Sequence, residues 1–308
     1  MLRLPAAFSP ATVSRVALAN VVANGAIVVT GGAVRLTGSG LGCPTWPRCT
    51  GSSFVNTPAL GLHGVIESTN RRLTFVLTVI AIATVVAVYR SVRRDLRPLA
   101  VLSFLGIPAQ ALLGGMTVLT GLNPWLVAAH FLLSMALVAI ATILWLRSRE
   151  PGVGQPLLTR PFLLLTRLVA AVTAAVLLVG TVVTGSGPHS GDPKAGRTGL
   201  DPQEVSQAHA DLVFLLIGLT AALVLALYAT DAPDRVRRAA RALLVVQLAQ
   251  GLIGFVQYFT QLPIALVLVH MLGAVLITAF TARLLWSVRG PSSEVPLDPA
   301  AQPAAAAR

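Results

Sequence analysis

The sequence predicts an all-α integral membrane protein in which eight transmembrane helices form two fused, pseudo-symmetric four-helix bundles. Three observations carry that expectation. The 308 residues are 55% hydrophobic and only 11% charged, with a mean hydropathy of +0.78, whereas soluble domains carry roughly 25% charged residues. Eight apolar runs are each long enough to cross a bilayer, for which about 20 residues suffice. A spaced set of residues in the first half of the chain returns in the second.

The runs lie at about 16–36, 63–89, 98–120, 124–146, 162–184, 205–230, 239–260 and 263–286. The first follows MLRLPAAFSPATVSR and reaches an arginine and a glycine-rich loop with no small-residue cleavage site, so it reads as a retained helix and not as a signal peptide. The +12 net charge is not a nucleic-acid footprint. Only one of the 23 basic residues is lysine, and the arginines cluster between apolar runs without interleaved aromatics. Seventeen of the 23 fall on one side of the helix ladder, so the positive-inside rule makes both termini cytoplasmic and turns the loops near 37–62, 121–123, 185–204 and 261–262 outward. The expected division is a cytoplasmic N-terminus (1–15), an N-terminal bundle (16–146), a cytoplasmic linker (147–161), a C-terminal bundle (162–286) and a disordered cytoplasmic tail (287–308).

The repeat is specific. Gln110, Gly114, Thr120 and His130 return as Gln250, Gly254, Thr260 and His270, each 140 residues later. Upstream, GAVRLTGSG from Gly32 to Gly40 returns as GTVVTGSG from Gly180 to Gly187, one residue shorter. Four spans separate the copies, so both halves share one orientation, a parallel repeat about an axis along the membrane normal.

Ionisable groups inside a membrane cost roughly 2.5 to 3.5 kcal/mol at a helix centre on insertion scales, so the few present need a reason. His130, His209 and His270 lie a few residues into runs four, six and eight, a depth of about 6 to 11 Å at 1.5 Å per residue. Two imidazoles at equal depth on neighbouring helices suit the clamping of a haem iron, and His209 with His270 make such a pair. The bland reading gives each histidine a backbone carbonyl or hydroxyl on an adjacent helix. In the first half the position matching His209 is Asn70, which leaves His130 alone, and Glu67 lies one turn before Asn70 on the same face. One histidine, an open position and a carboxylate suit a bound reactant; the bland alternative pairs Glu67 with Arg71 at i+4. The two cysteines, Cys43 and Cys49, share the first outward loop, where a disulfide is favoured over a zinc site involving His63, and a reversible redox pair is a third reading. His189, Lys194 and Arg197 in the third outward loop read as solvated groups, or as basic partners for haem carboxylates.

The stretches VVTGGAVRLTGSGLGCPTWPRCTG, IESTNRRLT, QALLGGMTVLTGLNPWLVAAH and TGSGPHSGD, with the QAH and VLVH histidines, together resemble the haem A synthase family from about Gly25 to Arg283. The resemblance implies a bacterial cell-membrane oxidoreductase of cytochrome oxidase assembly that oxidises the C8 methyl of haem O to a formyl group by successive hydroxylations. It further implies haem b as cofactor between His209 and His270. Haem O would be the substrate beside His130 and Asn70, with Glu67 as the catalytic carboxylate and Cys43 and Cys49 as the family's cysteine pair. Haem O synthase, oxidase assembly factors, membrane lipid and a second copy of the chain are the implied partners, and nucleic acid is not. This chain departs from the family in having Asn70 where many members have histidine, and in lacking a second cysteine pair in the third outward loop. The competing classes are a non-catalytic b-type membrane cytochrome, which has no need of the Glu67, Asn70 and His130 asymmetry, and a haem transporter, for which a helix broken at Pro108 would speak.

Overall fold

The computed structural model describes residues 8–150, 152 and 154–290. Among these residues eight long helices account for the architecture, with no β-strand: α1 (Pro10–Leu36), α2 (Gly61–Tyr89), α3 (Arg97–Leu119), α4 (Pro124–Ser148), α5 (Arg160–Ser186), α6 (Pro202–Ala229), α7 (Asp234–Phe259) and α8 (Ile264–Ser287). All eight are long and apolar enough to cross a membrane.

Several helices start earlier than their apolar runs, because caps rather than hydropathy set the first turn. Ser9 Oγ accepts the Thr12 N–H at 3.2 Å and Pro10 opens α1, a pairing that satisfies one orphan donor and presets φ. Asp201 accepts from the Gln203 and Glu204 N–H groups at 2.7 and 3.0 Å ahead of Pro202. That cap adds about one turn to α6 and moves His209 deeper into its helix than the run from 205 implies. Helix α7 starts at Asp234, since its arginine-rich first turn is helical although not apolar. Pro108 sits inside α3, which is continuous from Arg97 to Leu119, so the broken helix that would favour a transporter is not found there.

The α3–α4 and α7–α8 turns are built alike. The Leu122 N–H donates to Thr117 O and the Leu262 N–H to Gln257 O, both at 2.7 Å. Gly121 and Leu122 have φ of 63° and 61°, and Gln261 and Leu262 have 63° and 59°. These are helix-ending left-handed conformations that satisfy the last carbonyls, although glycine serves only one of the four positions.

Helix α1 packs against α2 and α4, and α3 against the same two, which leaves α2 and α4 facing across a diagonal. The second set repeats this, with α6 and α8 each packed between α5 and α7. The two sets meet through α1, α4, α5 and α8. Small residues permit the close approach: a Cβ added to Gly32 would lie 2.4 Å from Met271 Sδ, and one on Gly25 would lie 3.1 Å from Val275. Val28, Met135, Val138 and Val275 form the core of that seam. At the arginine-rich end Asp95 pairs with Arg93 at 2.9 Å and Arg147 at 3.2 Å, while Glu150 pairs with Arg235 at 3.1 Å. The start of the segment expected as a tail is paired, since the Leu157 N–H donates to Val288 O and the Gly290 N–H to Gln155 O, at 2.8 and 2.9 Å. The rest of that tail, and the first seven residues of the expected N-terminal segment, lie outside the described residues.

Candidate functional site

Helices α1, α3, α5 and α7 end where α2, α4, α6 and α8 begin, at the end carrying the cysteine loop. Near that end each of the four helix pairs presents one polar side chain to one glycine. His130 begins six residues after Pro124, His209 seven after Pro202 and His270 six after Ile264. A Cβ added to Gly114 of α3 would lie 3.0 Å from His130 Cε1. One on Gly180 of α5 would lie 3.1 Å from His209 Cε1, and one on Gly254 of α7 would lie 3.3 Å from His270 Cε1. In the fourth pair, Gly31 of α1 faces the Asn70 amide nitrogen of α2, with the corresponding distance 3.9 Å. Glycine therefore makes the room in which each ring lies against the neighbouring helix.

The histidine backbones are tied in the same way in both halves. Gln110 Nε2 donates to His130 O at 3.0 Å and Gln250 Nε2 to His270 O at 2.7 Å; Gln110 also reaches Ser134 Oγ at 2.6 Å. The rings are tied differently from one another. The Nδ1 atoms of His130 and His270 are buried without a hydrogen bond among the described residues, whereas the His209 ring makes a loose hydrogen bond with the Val176 backbone of α5. The bland expectation of a backbone partner on the adjacent helix thus holds for His209, through Val176, and not for His130 or His270. His209 and His270, on diagonal helices, are within electrostatic range of each other. Asn70 Oδ1 accepts from the Thr30 hydroxyl of α1 at 2.7 Å.

Glu67 is 5% exposed and belongs to the cysteine loop as much as to α2. It accepts the Cys43 N–H at 2.6 Å and pairs with Arg71 through Nε at 3.0 Å and through Nη2. Arg71 goes on to donate to Cys43 O at 2.9 Å and Thr45 O at 2.8 Å. The i+4 ion pair weighed as the bland alternative is thus formed, but as part of a network that fixes the loop. Cys43 and Cys49 are joined in a disulfide with Cα atoms 4.4 Å apart, which excludes them as zinc thiolates, and His63 Nδ1 instead meets Ser39 Oγ at 2.9 Å. Both cysteines are fully buried, so a membrane-permeant maleimide should label the protein only after reduction; labelling beforehand would contradict the bond.

Two features escaped the sequence pattern. The Trp46 indole of the cysteine loop lies on Gly115 of α3, where an added Cβ would meet it at 2.4 Å, one residue from the glycine that faces His130. Arg35, at the end of α1, donates to His189 O at 2.7 Å and Thr184 O at 2.9 Å, joining the two halves at this end. Trp46 was visible only as part of a motif, and Arg35 only as a charge at a helix end. His189 is not simply solvated: it is half-buried, with Nε2 3.1 Å from Leu262 O. Lys194 and Arg197 are exposed, as a solvated loop requires.

The fold and this layer of glycine-faced imidazoles define a multi-pass, all-helical membrane protein with polar groups concentrated near one end. The profile of the COX15-CtaA family, described as cytochrome oxidase assembly protein, matches residues 14–60 and 63–189. The chain belongs to that family. It is also similar to proteins named heme A synthase: one from Bacillus licheniformis is 36% identical over 124 residues, covering 38% of this chain and 40% of the relative. One from Bacillus pumilus is 36% identical over 125 residues, covering 39% of each, and one from Listeria welshimeri is 36% identical over 122 residues, covering 38% and 40%. The chain thus matches about two fifths of these relatives' length.

Proposed function

We propose that this protein is a haem A synthase, a membrane oxidoreductase that converts the C8 methyl of haem O to a formyl group for cytochrome oxidase assembly. The observation that carries the reading is the layer of three imidazoles, each set against a glycine of the neighbouring helix, two of them, His130 and His270, with an Nδ1 that no described residue engages. Helices α2 and α4, and α6 and α8, do not pack on one another, so a flat apolar macrocycle would lie along these diagonals, and imidazole is an iron ligand of the right chemistry.

The C-terminal half (162–286) would hold haem b through His209 and His270, a permanently ligated group that supplies one-electron transfer. The N-terminal half (16–146) would hold haem O through His130, with Asn70 on the opposite side and Glu67 beside the substrate. Two hydroxylations, each inserting one oxygen atom from an external oxidant of the dioxygen class that takes up the electrons, would carry the methyl carbon to a gem-diol, which loses water to leave the aldehyde. Glu67 has two assets for this: a carboxyl group kept from bulk water, and a fixed position, because the Cys43 N–H and Arg71 hold it from the loop side. Trp46, packed onto Gly115, would close the first bundle against water above His130. We place the protein in the bacterial cell membrane with both termini cytoplasmic, on the arginine distribution, and treat haem O synthase and oxidase assembly factors as its candidate partners.

The glycine cradles give a graded test. Ala at Gly180 or Gly114 brings a Cβ to about 3 Å from an imidazole, so those variants should displace the ring and broaden or lower the corresponding haem absorption. Gly31→Ala, with 3.9 Å of clearance, should leave both haem signals as they are. Equal effects from all three would remove the cradles from the ligand geometry. The function itself is tested by supplying haem O and extracting pigment, because an electron carrier or a transporter leaves the methyl group unoxidised.

A further inference from the structure

The two glutamines of the repeat reach their histidines alike but are seated on the facing helix differently. In the first half Gln110 Nε2 donates to His130 O at 3.0 Å and to Ser134 Oγ at 2.6 Å. The second half has Ala274 where the first has Ser134, and Gly273 where the first has Leu133. There Gln250 Nε2 donates to His270 O at 2.7 Å, and the carboxamide lies on Gly273. A Cβ added to that glycine would stand 1.7 Å from Gln250 Oε1, 2.4 Å from Cδ and 3.0 Å from Nε2, the closest such approach among the described residues. The amide oxygen therefore occupies the place where a side chain would begin. Gln250 and Gly273 are both buried, and Oε1 has no hydrogen-bond partner among the described residues, so the group it faces is the glycine Cα–H, a weak donor.

Resting on the reading that His270 holds haem b, we propose that Gly273 is a positioning residue for that ligand. It lies three residues after His270, on the same face of α8. Presenting no side chain, it admits the Gln250 carboxamide onto the backbone of α8. A carbonyl oxygen has two lone pairs, so His270 O takes the Gln250 N–H in addition to its helical partner. Helix α8 is thereby pinned to α7 at the residue that carries the imidazole, one turn of α7 from Gly254, against which the ring itself lies. An alanine at 273 meets the free end of a flexible side chain, so it moves the carboxamide and breaks the tie while the helices stay packed. The first half, with Leu133 and Ser134, has no such seat, and the device belongs to the half assigned the permanently ligated haem.

The test uses the purified full-length protein as wild type, Gly273→Ala, Gln250→Ala and the double variant. Two quantities are read: the g values of the low-spin haem b signal by electron paramagnetic resonance, which report ligand orientation, and the rate at which haem b passes to excess apomyoglobin. Each single variant should keep a low-spin signal with shifted g values and lose haem on the order of ten-fold faster, as the loss of one intramolecular hydrogen bond predicts. The double variant should match Gln250→Ala, because the carboxamide supplies all three of the nearest atoms that the added Cβ would meet. Such coupling is the signature of a shared contact. If Gly273→Ala fails to fold, a folded double variant matching Gln250→Ala still supports the proposal, and failure of both overturns it. Wild-type behaviour of Gly273→Ala, or effects of the two substitutions that simply add, would also overturn it. A wild-type protein with no low-spin haem, or a low-spin haem retained in His270→Ala, would instead remove the ligand assignment beneath the proposal, and the proposal with it.

Discussion

His270→Ala is expected to abolish the low-spin haem b spectrum, with the haem of the second half falling to a small fraction of the wild-type content. The reason is geometric. A haem between α6 and α8 would depend on one imidazole from each diagonal helix, and the residue each ring is set against is a glycine, Gly180 or Gly254, which offers no donor side chain in its place. Gln250 binds the His270 backbone carbonyl, not the ring, so α8 should keep its place and the loss should be local. His209→Ala should give the same spectrum, whereas His130→Ala should leave the low-spin signal intact and remove only the other species. Pyridine haemochrome content and low-temperature spectra of the three variants check this. A low-spin haem retained in His270→Ala would overturn the ligand pair.

Glu67→Gln carries the second large effect. Haem b content should be unchanged and formation of haem A should drop by about 100-fold or more, the range spanned by removal of a positioned acid–base group. Glutamine keeps the shape and can still accept the Cys43 N–H, but it offers Arg71 no charge. Arg71 retains the Cys43 and Thr45 carbonyls, so the loop has reason to stay closed. Because Glu67 has a structural partner set as well as a proposed chemical role, the product assay is read together with two controls: the low-spin spectrum and resistance of the thiols to labelling before reduction. Lost product with both controls intact isolates the carboxylate. Normal haem A yield would take Glu67 out of the mechanism.

The helices were legible in the sequence because lipid imposes a length and an apolar composition that few other structures require. Their starts were less so: Ser9 and Asp201 extend α1 and α6 through hydrogen bonds to backbone N–H groups, and hydropathy averages do not register a cap. Arg235, Arg237 and Arg238 hide the first turn of α7 for a different reason, since a hydropathy average reads a charged turn as polar whether or not it is helical. Within the site, the repeat exposed Gln110, Gly114 and His130 with their counterparts, but not what the glutamine or glycine does. Those roles depend on which helices pair, and helix pairing leaves no local trace in composition. Glu67 shows the limit most clearly. Its spacing from Arg71 could be read directly, while the Cys43 N–H that holds its other oxygen comes from a loop 24 residues away. Asn70 was legible as a departure from the repeat; its tie to Thr30, 40 residues earlier, was not.

The most direct measurement is of the pigment itself. The protein is expressed in cells that make haem O but have no other means of oxidising it, and the extracted haems are separated and weighed by mass spectrometry. The expected result is a haem heavier than haem O by one oxygen less two hydrogens, with the reduced pyridine haemochrome spectrum of a formyl porphyrin, and its absence from cells expressing Glu67→Gln. Unaltered haem O, recovered from membranes that contain folded protein with its low-spin haem b, would contradict the assignment and leave a membrane cytochrome in its place.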